Sequence, residues 1–169
     1  FEERDGKKVP CDGKLWYRGY NVIDLIHGFE GKRFGFEEVA YLLLFGELPD
    51  AAKLGAFKSM LEECRQLPTN FTRDVIMKAP SKDIMNSLTR SVLTLASYDE
   101  TIADQELHTQ LEQCIKLISV FPMLAVYGYH AYNHYICDDS LYIHRPQEGL
   151  SAAENLLLML RPDKADTEL

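Results

Sequence analysis

The stretch from Leu15 to Pro49 constrains the fold more than any other part of the chain. Trp16-Tyr-Arg-Gly-Tyr20 reads as a tight turn. Asn21 offers a side-chain cap to a short helix through Ile26, ended by Gly28. Gly35-Phe-Glu-Glu38 then opens a second helix with two acids in its first turn, where the helix dipole favours negative charge. That helix runs to Phe45 and stops at Gly46, with Pro49 just beyond. Val39, Ala40, Leu42, Leu43, Leu44 and Phe45 take up most of its circumference, so burial on nearly every side is expected.

On either side the pattern stays simple. Phe1 to Tyr17 alternates like strand and is broken by Asp5-Gly6 and Asp12-Gly13, pairs that favour hairpin turns, so a small β ribbon is expected over residues 1–19. Asp50 caps a third helix with Leu54, Phe57, Met60 and Leu61 on its buried face, ended by Leu67-Pro68. Asn70 to Met77 reads as a short helix closed by Pro80. Ser81 starts a helix through Tyr98 carrying Ile84, Met85, Leu88, Val92, Leu95 and Ala96. A long helix from Asp104 to Tyr135 carries Leu107, Leu111, Ile115, Ile118, Leu124 and Tyr127, and Pro122 interrupts its hydrogen-bond ladder. Residues 137–150 read as loop. Ser151-Ala-Ala-Glu154 is a capping box ahead of Leu156 to Leu160, and Pro162 stops that helix. The expected fold is all-α with a minor β lead, residues 20–169 forming part of a large helical domain.

Composition excludes some functions. Net charge is −8, from 18 Lys+Arg against 26 Asp+Glu, which disfavours nucleic acid and anionic membranes as partners. A composition 46% hydrophobic and 26% charged is that of an ordinary soluble protein. Unbroken apolar runs fall short of the roughly 18 residues of a membrane span. Cys11, Cys64, Cys114 and Cys137 are far apart and fit reduced thiols in a cytoplasmic protein. The chain opens on Phe1 rather than Met, as a processed or trimmed product would.

Few residues invite a chemical role. His130 and His134 lie one helical turn apart, with Cys137, Asp138 and Asp139 close behind, and could face one metal ion. The spacing lacks the glutamate of His-Glu-x-x-His, and Tyr127, Tyr129, Tyr132 and Tyr135 surround the pair. Histidines hydrogen-bonded at an aromatic helix end are therefore expected, and no metal site. His108 and Cys114 cannot act together as base and nucleophile. Ser81, Ser87 and Ser91 match no nucleophile elbow. Arg18 is expected to tie backbone carbonyls and a carboxylate together at its turn. No catalytic residue is assigned, because a positioned base and an electrophilic stabiliser cannot be assembled here.

Several segments resemble the citrate synthase family in order and spacing. They are Gly13-Lys-Leu-Trp-Tyr-Arg-Gly-Tyr20, Phe36 to Pro49, Leu67-Pro68, Ala79-Pro-Ser-Lys-Asp-Ile-Met85, Phe121-Pro122 and Ser151 to Leu160. The resemblance covers almost the whole chain and implies the early part of that family's large helical domain. It also implies condensation of acetyl-CoA with oxaloacetate to give citrate and CoA, with acetyl-CoA a co-substrate rather than a resident cofactor. The family's catalytic segments, of the form His-x-x-His-x-x-x-Asn and Gly-Pro-x-His-Gly, do not occur here, so no catalytic residue carries over. Where many members place a CoA-facing arginine on the long helix, this chain has Tyr129-His-Ala-Tyr-Asn-His134, and cofactor-binding residues stay unassigned.

Helices 81–98 and 104–135 carry more apolar surface than an amphipathic stripe needs, and the resemblance implies that they form an obligate homodimer interface. The alternative is that a C-terminal part of the same chain, missing here, covers that surface. Met85, Leu88, Val92, Leu95 and Ala96 are expected on one face of the first helix, with Ser87, Ser91 and Thr94 giving close contacts on another. Two alternatives stand beside the citrate synthase reading: a non-catalytic helical interaction module, and a 2-methylcitrate synthase using propionyl-CoA.

Overall fold

The computed structural model describes residues 2–161. It divides into two compact units, Phe1–Leu54 and Gly55–Leu169. Helices dominate, and among the described residues the β structure is confined to two small antiparallel ribbons in the first unit.

In the first unit, β1 (Glu2–Arg4) pairs with β2 (Lys7–Val9), and β3 (Trp16–Tyr17) with β4 (Tyr20–Asn21). The β1–β2 turn uses Asp5 and Gly6 at φ 53° and 71°. Both signs match the mirror-image turn that Asp-Gly favours, because its twist suits paired strands. The second turn is at Arg18 and Gly19, with φ 49° and 90°, inside the tight turn expected at Trp16–Tyr20, whereas Asp12-Gly13 joins no paired strands among the described residues. Arg18 is stapled into its left-handed conformation. Its Nε and Nη2 donate to the Leu43 carbonyl at 3.1 and 2.8 Å, satisfying one of the orphan carbonyls in the last turn of α2.

Helix α1 (Val22–Gly28) starts where Asn21 Oδ1 accepts the Ile23 N–H at 2.9 Å. Helix α2 (Gly35–Phe45) ends at Gly46, whose φ of 82° lets its N–H reach the Leu42 carbonyl. Leu42, Glu37 and Glu38 are buried, but Phe36, Leu43 and Phe45 are 52%, 43% and 40% exposed. The all-round burial expected of α2 is not found. Within their unit, a seven-residue helix and two short ribbons supply too little surface to enclose it.

Helix α3 (Ala51–Glu63) crosses the boundary between the units and stops four residues before Leu67. Phe57 and Leu61 are buried as expected, whereas Met60 is 41% exposed. The short helix expected over 70–77 is a single π turn, Thr72–Ile76, closed by the Met77 N–H on the Thr72 carbonyl at 2.9 Å. Helix α4 (Ile84–Leu95) begins three residues after the expected start at Ser81. Asp83 takes the cap, accepting the Asn86 N–H at 3.0 Å, while Ser81 Oγ accepts from Asp83.

Helix α5 (Leu107–Cys137) runs 31 residues through Pro122. It starts later than Asp104, whose carboxylate instead holds the approach to the helix through the Glu106 N–H and the Thr109 hydroxyl. It is long enough, and its most apolar window (mean hydropathy 1.3) apolar enough, to match a membrane span by length and composition only, which the search for unbroken apolar runs misses because Ser119, Pro122 and Gly128 interrupt the pattern. It is the core helix of the second unit, and 56% of its most apolar window is buried there. Helix α6 (Ala152–Leu160) shows both limbs of the expected capping box between Ser151 and Glu154, at 3.2 and 2.6 Å. The stop expected at Pro162 lies outside the described residues.

The core of the second unit gathers around α5. Val120, Met123, Leu124, Tyr127 and Ala131 meet Leu88 and Leu95 of α4, Met159 of α6, and Phe71 and Ile76 beside the π turn. Burial of each large side chain contributes about 1.5–3 kcal/mol. Leu88 and Leu95 are therefore core residues, with Val92 packed against them, and Ser87 and Ser91 are buried as well. The outward apolar residues of α4 are Met85 and Leu93, at 68% and 67% exposed. Of the face drawn from the sequence for a second subunit, Leu88, Val92 and Leu95 turn inward and Met85 turns outward. One helical stripe cannot show from sequence which side its own core lies on.

Candidate functional site

The residues singled out for chemistry have structural partners. His130 is buried, with Nε2 at 3.1 Å from the Met159 carbonyl, so Nε2 carries the proton and donates to the last turn of α6. His134 Nδ1 meets the Asp139 carbonyl at 2.8 Å, closing the C-terminal end of α5. Each ring thus has one nitrogen committed to a backbone carbonyl, and no group of three potential metal ligands occurs among the described residues. Cys137 raises the pKa of the Tyr132 hydroxyl by a hydrogen bond and by charge. His108 lies exposed 3.7 Å from Glu112, one turn on. Cys114 is exposed, and Cys64 is part-buried, which raises its thiol pKa. The Ser87 carbonyl accepts from the Ser91 hydroxyl at 2.9 Å inside α4. Arg18 holds a carbonyl, and no carboxylate joins it among the described residues.

A cleft of about 880 Å³ opens in the second unit between the end of α3, the π turn, α5 and the 143–148 segment. Its buried lining is apolar and comes from Phe71, Met123 and Tyr127. Arg65, Arg73 and Arg145 stand around it with Glu62 and Glu148. Asn70 lines it at φ 61°, a left-handed conformation that asparagine tolerates better than most residues.

One wall is tied down on three sides. Asn155, 2% exposed, accepts the Gln147 N–H at 2.7 Å and donates to the Gln147 and Leu150 carbonyls at 3.1 and 3.2 Å. The Tyr127 hydroxyl donates to the His144 carbonyl at 2.9 Å. The Gly149 N–H donates to Glu62 Oε1 at 2.9 Å. Helices α3, α5 and α6 therefore each fix the strap that carries Arg145. Burial raises the Tyr127 phenol above its ordinary pKa, and the nearby Arg145 charge opposes that rise. On the opposite rim, Arg73 is held by Asp74 through two contacts of 2.8 Å, which keep that carboxyl below its usual range.

A family model described as citrate synthase, C-terminal domain, matches residues 3–169. The chain belongs to the citrate synthase family. Its relatives include the 2-methylcitrate synthase of Shewanella oneidensis, 34% identical over 68% of this chain and 28% of that one. The citrate synthase of Corynebacterium glutamicum is 30% identical over 88% of this chain and 32% of its own length. The chain thus spans about three-tenths of these relatives. Among solved structures, the citrate synthase of Pyrobaculum aerophilum matches with a TM-score of 0.71 and 26% identity, covering 89% of this chain and 37% of that one. Citrate synthase from Thermoplasma acidophilum, solved with carboxymethyl coenzyme A and oxaloacetate, shares the fold at a TM-score of 0.73 and 22% identity.

Sequence reasoning did not find the cleft of this citrate synthase family chain. Arg65, Arg73 and Arg145 are scattered along the chain and only the fold gathers them. One local signal existed. Asn155 is the polar residue inside an otherwise leucine-rich helix, and a buried amide in such a place needs partners on another segment.

Proposed function

We propose that residues 1–169 are part of a longer citrate synthase, which condenses acetyl-CoA with oxaloacetate and releases citrate and CoA. The observation that carries this is the match of residues 3–169 to one family model by a chain that covers 28% and 32% of two relatives. Acetyl-CoA is then a co-substrate, with no cofactor bound permanently, and this part of the enzyme supplies helical scaffold. The family's catalytic His-x-x-His-x-x-x-Asn and Gly-Pro-x-His-Gly segments belong to the rest of the polypeptide. Residues 1–169 alone are expected to be inactive.

The test is release of CoA thiol from acetyl-CoA and oxaloacetate, measured on the family-length polypeptide and on residues 1–169 separately. Turnover by the first and none by the second fits the proposal. No turnover by the family-length polypeptide with either acyl-CoA would overturn it in favour of a non-catalytic helical module. A second reading, 2-methylcitrate synthase, is favoured by the 34% identity to the Shewanella oneidensis enzyme. Propionyl-CoA in the same assay separates the two by the ratio of kcat/KM values.

The proposal includes a homodimer through helices 81–98 and 104–135, formed by the outward residues of α4 and α5. Met85 and Leu93 on α4, and Leu117 and Phe121 on α5, are exposed apolar side chains of the kind that such an interface covers. It also includes a cytoplasmic location, in keeping with four cysteines far apart in the sequence.

A further inference from the structure

We propose that the exposed apolar surface around Arg18 in the first unit seats a later segment of the same polypeptide. That segment brings apolar side chains to Trp16, Tyr20, Leu43 and Phe45 and a carboxylate to the Arg18 guanidinium. The inference rests on the reading of residues 1–169 as part of a longer citrate synthase, and it names a contact that reading does not contain.

Exposed apolar surface is the first support. Trp16 and Tyr20 on the ribbon, Ile23 and Ile26 one turn apart on α1, and Leu43 and Phe45 at the end of α2 are each 40–60% exposed. Large apolar side chains so concentrated in a unit that ends at Leu54 exceed the scattered exposure that needs no explanation. Leu43 and Phe45 close a helix that is apolar on nearly every side by composition. Such a helix belongs in the interior of a large protein, and its own unit supplies too little surface to enclose it.

Charge is the second support. Arg18 Nε and Nη2 both donate to the Leu43 carbonyl, and Nη1 has no partner among the described residues. That contact joins the ribbon's turn to the end of α2, with Trp16 and Tyr20 two residues to either side of Arg18 and Phe45 two residues beyond Leu43. A guanidinium stays charged at any ordinary pH, so a segment that covers these side chains takes the charge out of water and must pair it. A carboxylate does this with the strongest hydrogen bonds that a protein side chain offers. The occupant belongs to the same polypeptide because residues 1–169 cover only 28% and 32% of two relatives, leaving most of a family-length chain to reach this surface. Tethering gives such a segment a high effective concentration that a separate molecule lacks. The proposed homodimer, moreover, uses α4 and α5 of the other unit.

Photo-crosslinking on the family-length polypeptide tests this, with Trp16→p-benzoylphenylalanine and Leu43→p-benzoylphenylalanine as separate variants at exposed positions. Circular dichroism verifies that both fold. After irradiation, mass spectrometry should find position 16 or 43 joined to a peptide from beyond residue 169, in a product of single-chain mass whose yield does not fall on dilution. A product of double mass would assign the surface to a second copy and overturn the proposal. Crosslinks confined to residues 1–169, or none from either position, would overturn it as well. In the captured segment, changing one Asp or Glu to its amide should lower the urea midpoint of the wild-type polypeptide by more than it lowers that of Arg18→Gln. Equal losses in the two backgrounds at every acid of that segment would rule out the pairing with Arg18. The crosslink is read by mass and does not depend on turnover, so CoA release without the crosslink would sink this inference alone.

Discussion

Gly128 of α5 faces Ser87 of α4 so closely that a Cβ on Gly128 would lie 3.9 Å from Ser87 Cβ. Two helices meet at this depth only where both present small residues. Here Ser87 and Ser91 on α4, and Gly128 and Ala131 on α5, are all small and buried. The serine at 91 keeps its hydroxyl satisfied within its own helix by donating to the Ser87 carbonyl.

At 3.9 Å the added methyl of Gly128→Ala is in ordinary contact, and the helical backbone welcomes alanine. That variant should be neutral or more stable by up to about 1 kcal/mol. Ser87→Leu forces the helices apart and should cost about 1–3 kcal/mol. Urea denaturation followed by circular dichroism measures both.

Neighbouring leucines on α4 should behave oppositely. Leu95 is 8% exposed and belongs to the core, so Leu95→Asp buries an unpaired carboxylate and should unfold the second unit. Leu93 is 67% exposed, and Leu93→Asp should change the stability of the folded monomer by no more than about 0.5 kcal/mol. If α4 and α5 form the dimer surface, light scattering will show Leu93→Asp as a folded monomer. A folded dimer at low concentration would place the interface elsewhere.

Local chemistry made most helix ends legible. Asn21, Gly46 and the Ser151–Glu154 box act where the sequence puts them, because a cap works through residues two or three apart. The misses share one physical origin. Ser81 and Asp104 are capping residues by type and each accepts an N–H two residues on, from Asp83 and Glu106, but in a turn that precedes the helix instead of opening it. The serines of α4 look available to a second subunit until α5 is seen to present Gly128 to them. The cleft was illegible for a stronger reason, since Tyr127, Asn155 and Arg145 meet only in the folded chain. The family was readable because order and spacing of many modest segments survive where no single residue is diagnostic.

The strap over the cleft should loosen when its hydrogen bonds are cut singly. Tyr127→Phe removes the donor to the His144 carbonyl and should cost about 1 kcal/mol. Asn155→Ala leaves the Gln147 N–H without its partner and should cost more, about 1–3 kcal/mol. Hydrogen exchange at the Gln147 amide should accelerate in Asn155→Ala. Ultraviolet titration should show two phenols, Tyr127 and Tyr132, ionising above the ordinary tyrosine range, and Tyr127→Phe should remove the one that burial raises.

Acid should weaken the approach to α5. The Asp104 carboxyl is held below its ordinary value of 3.8 by the Glu106 N–H and then by the Thr109 hydroxyl. Asp99 is lowered likewise, first by the Thr101 hydroxyl and then by the Thr101 N–H. A carboxyl with a lowered folded pKa binds its proton less readily in the folded than in the unfolded chain. Its contribution is therefore complete above the unfolded value and is lost as pH falls below 3.8 through the folded value. Asp104→Asn keeps an acceptor for the Glu106 N–H but carries no charge to titrate. At pH 7 the variant should be the less stable protein in urea. Toward pH 3 the wild-type chain should lose its advantage, and the two denaturation midpoints should converge. A gap between the midpoints that stays constant from pH 7 to pH 3 would show that the Asp104 charge plays no part in seating the start of α5.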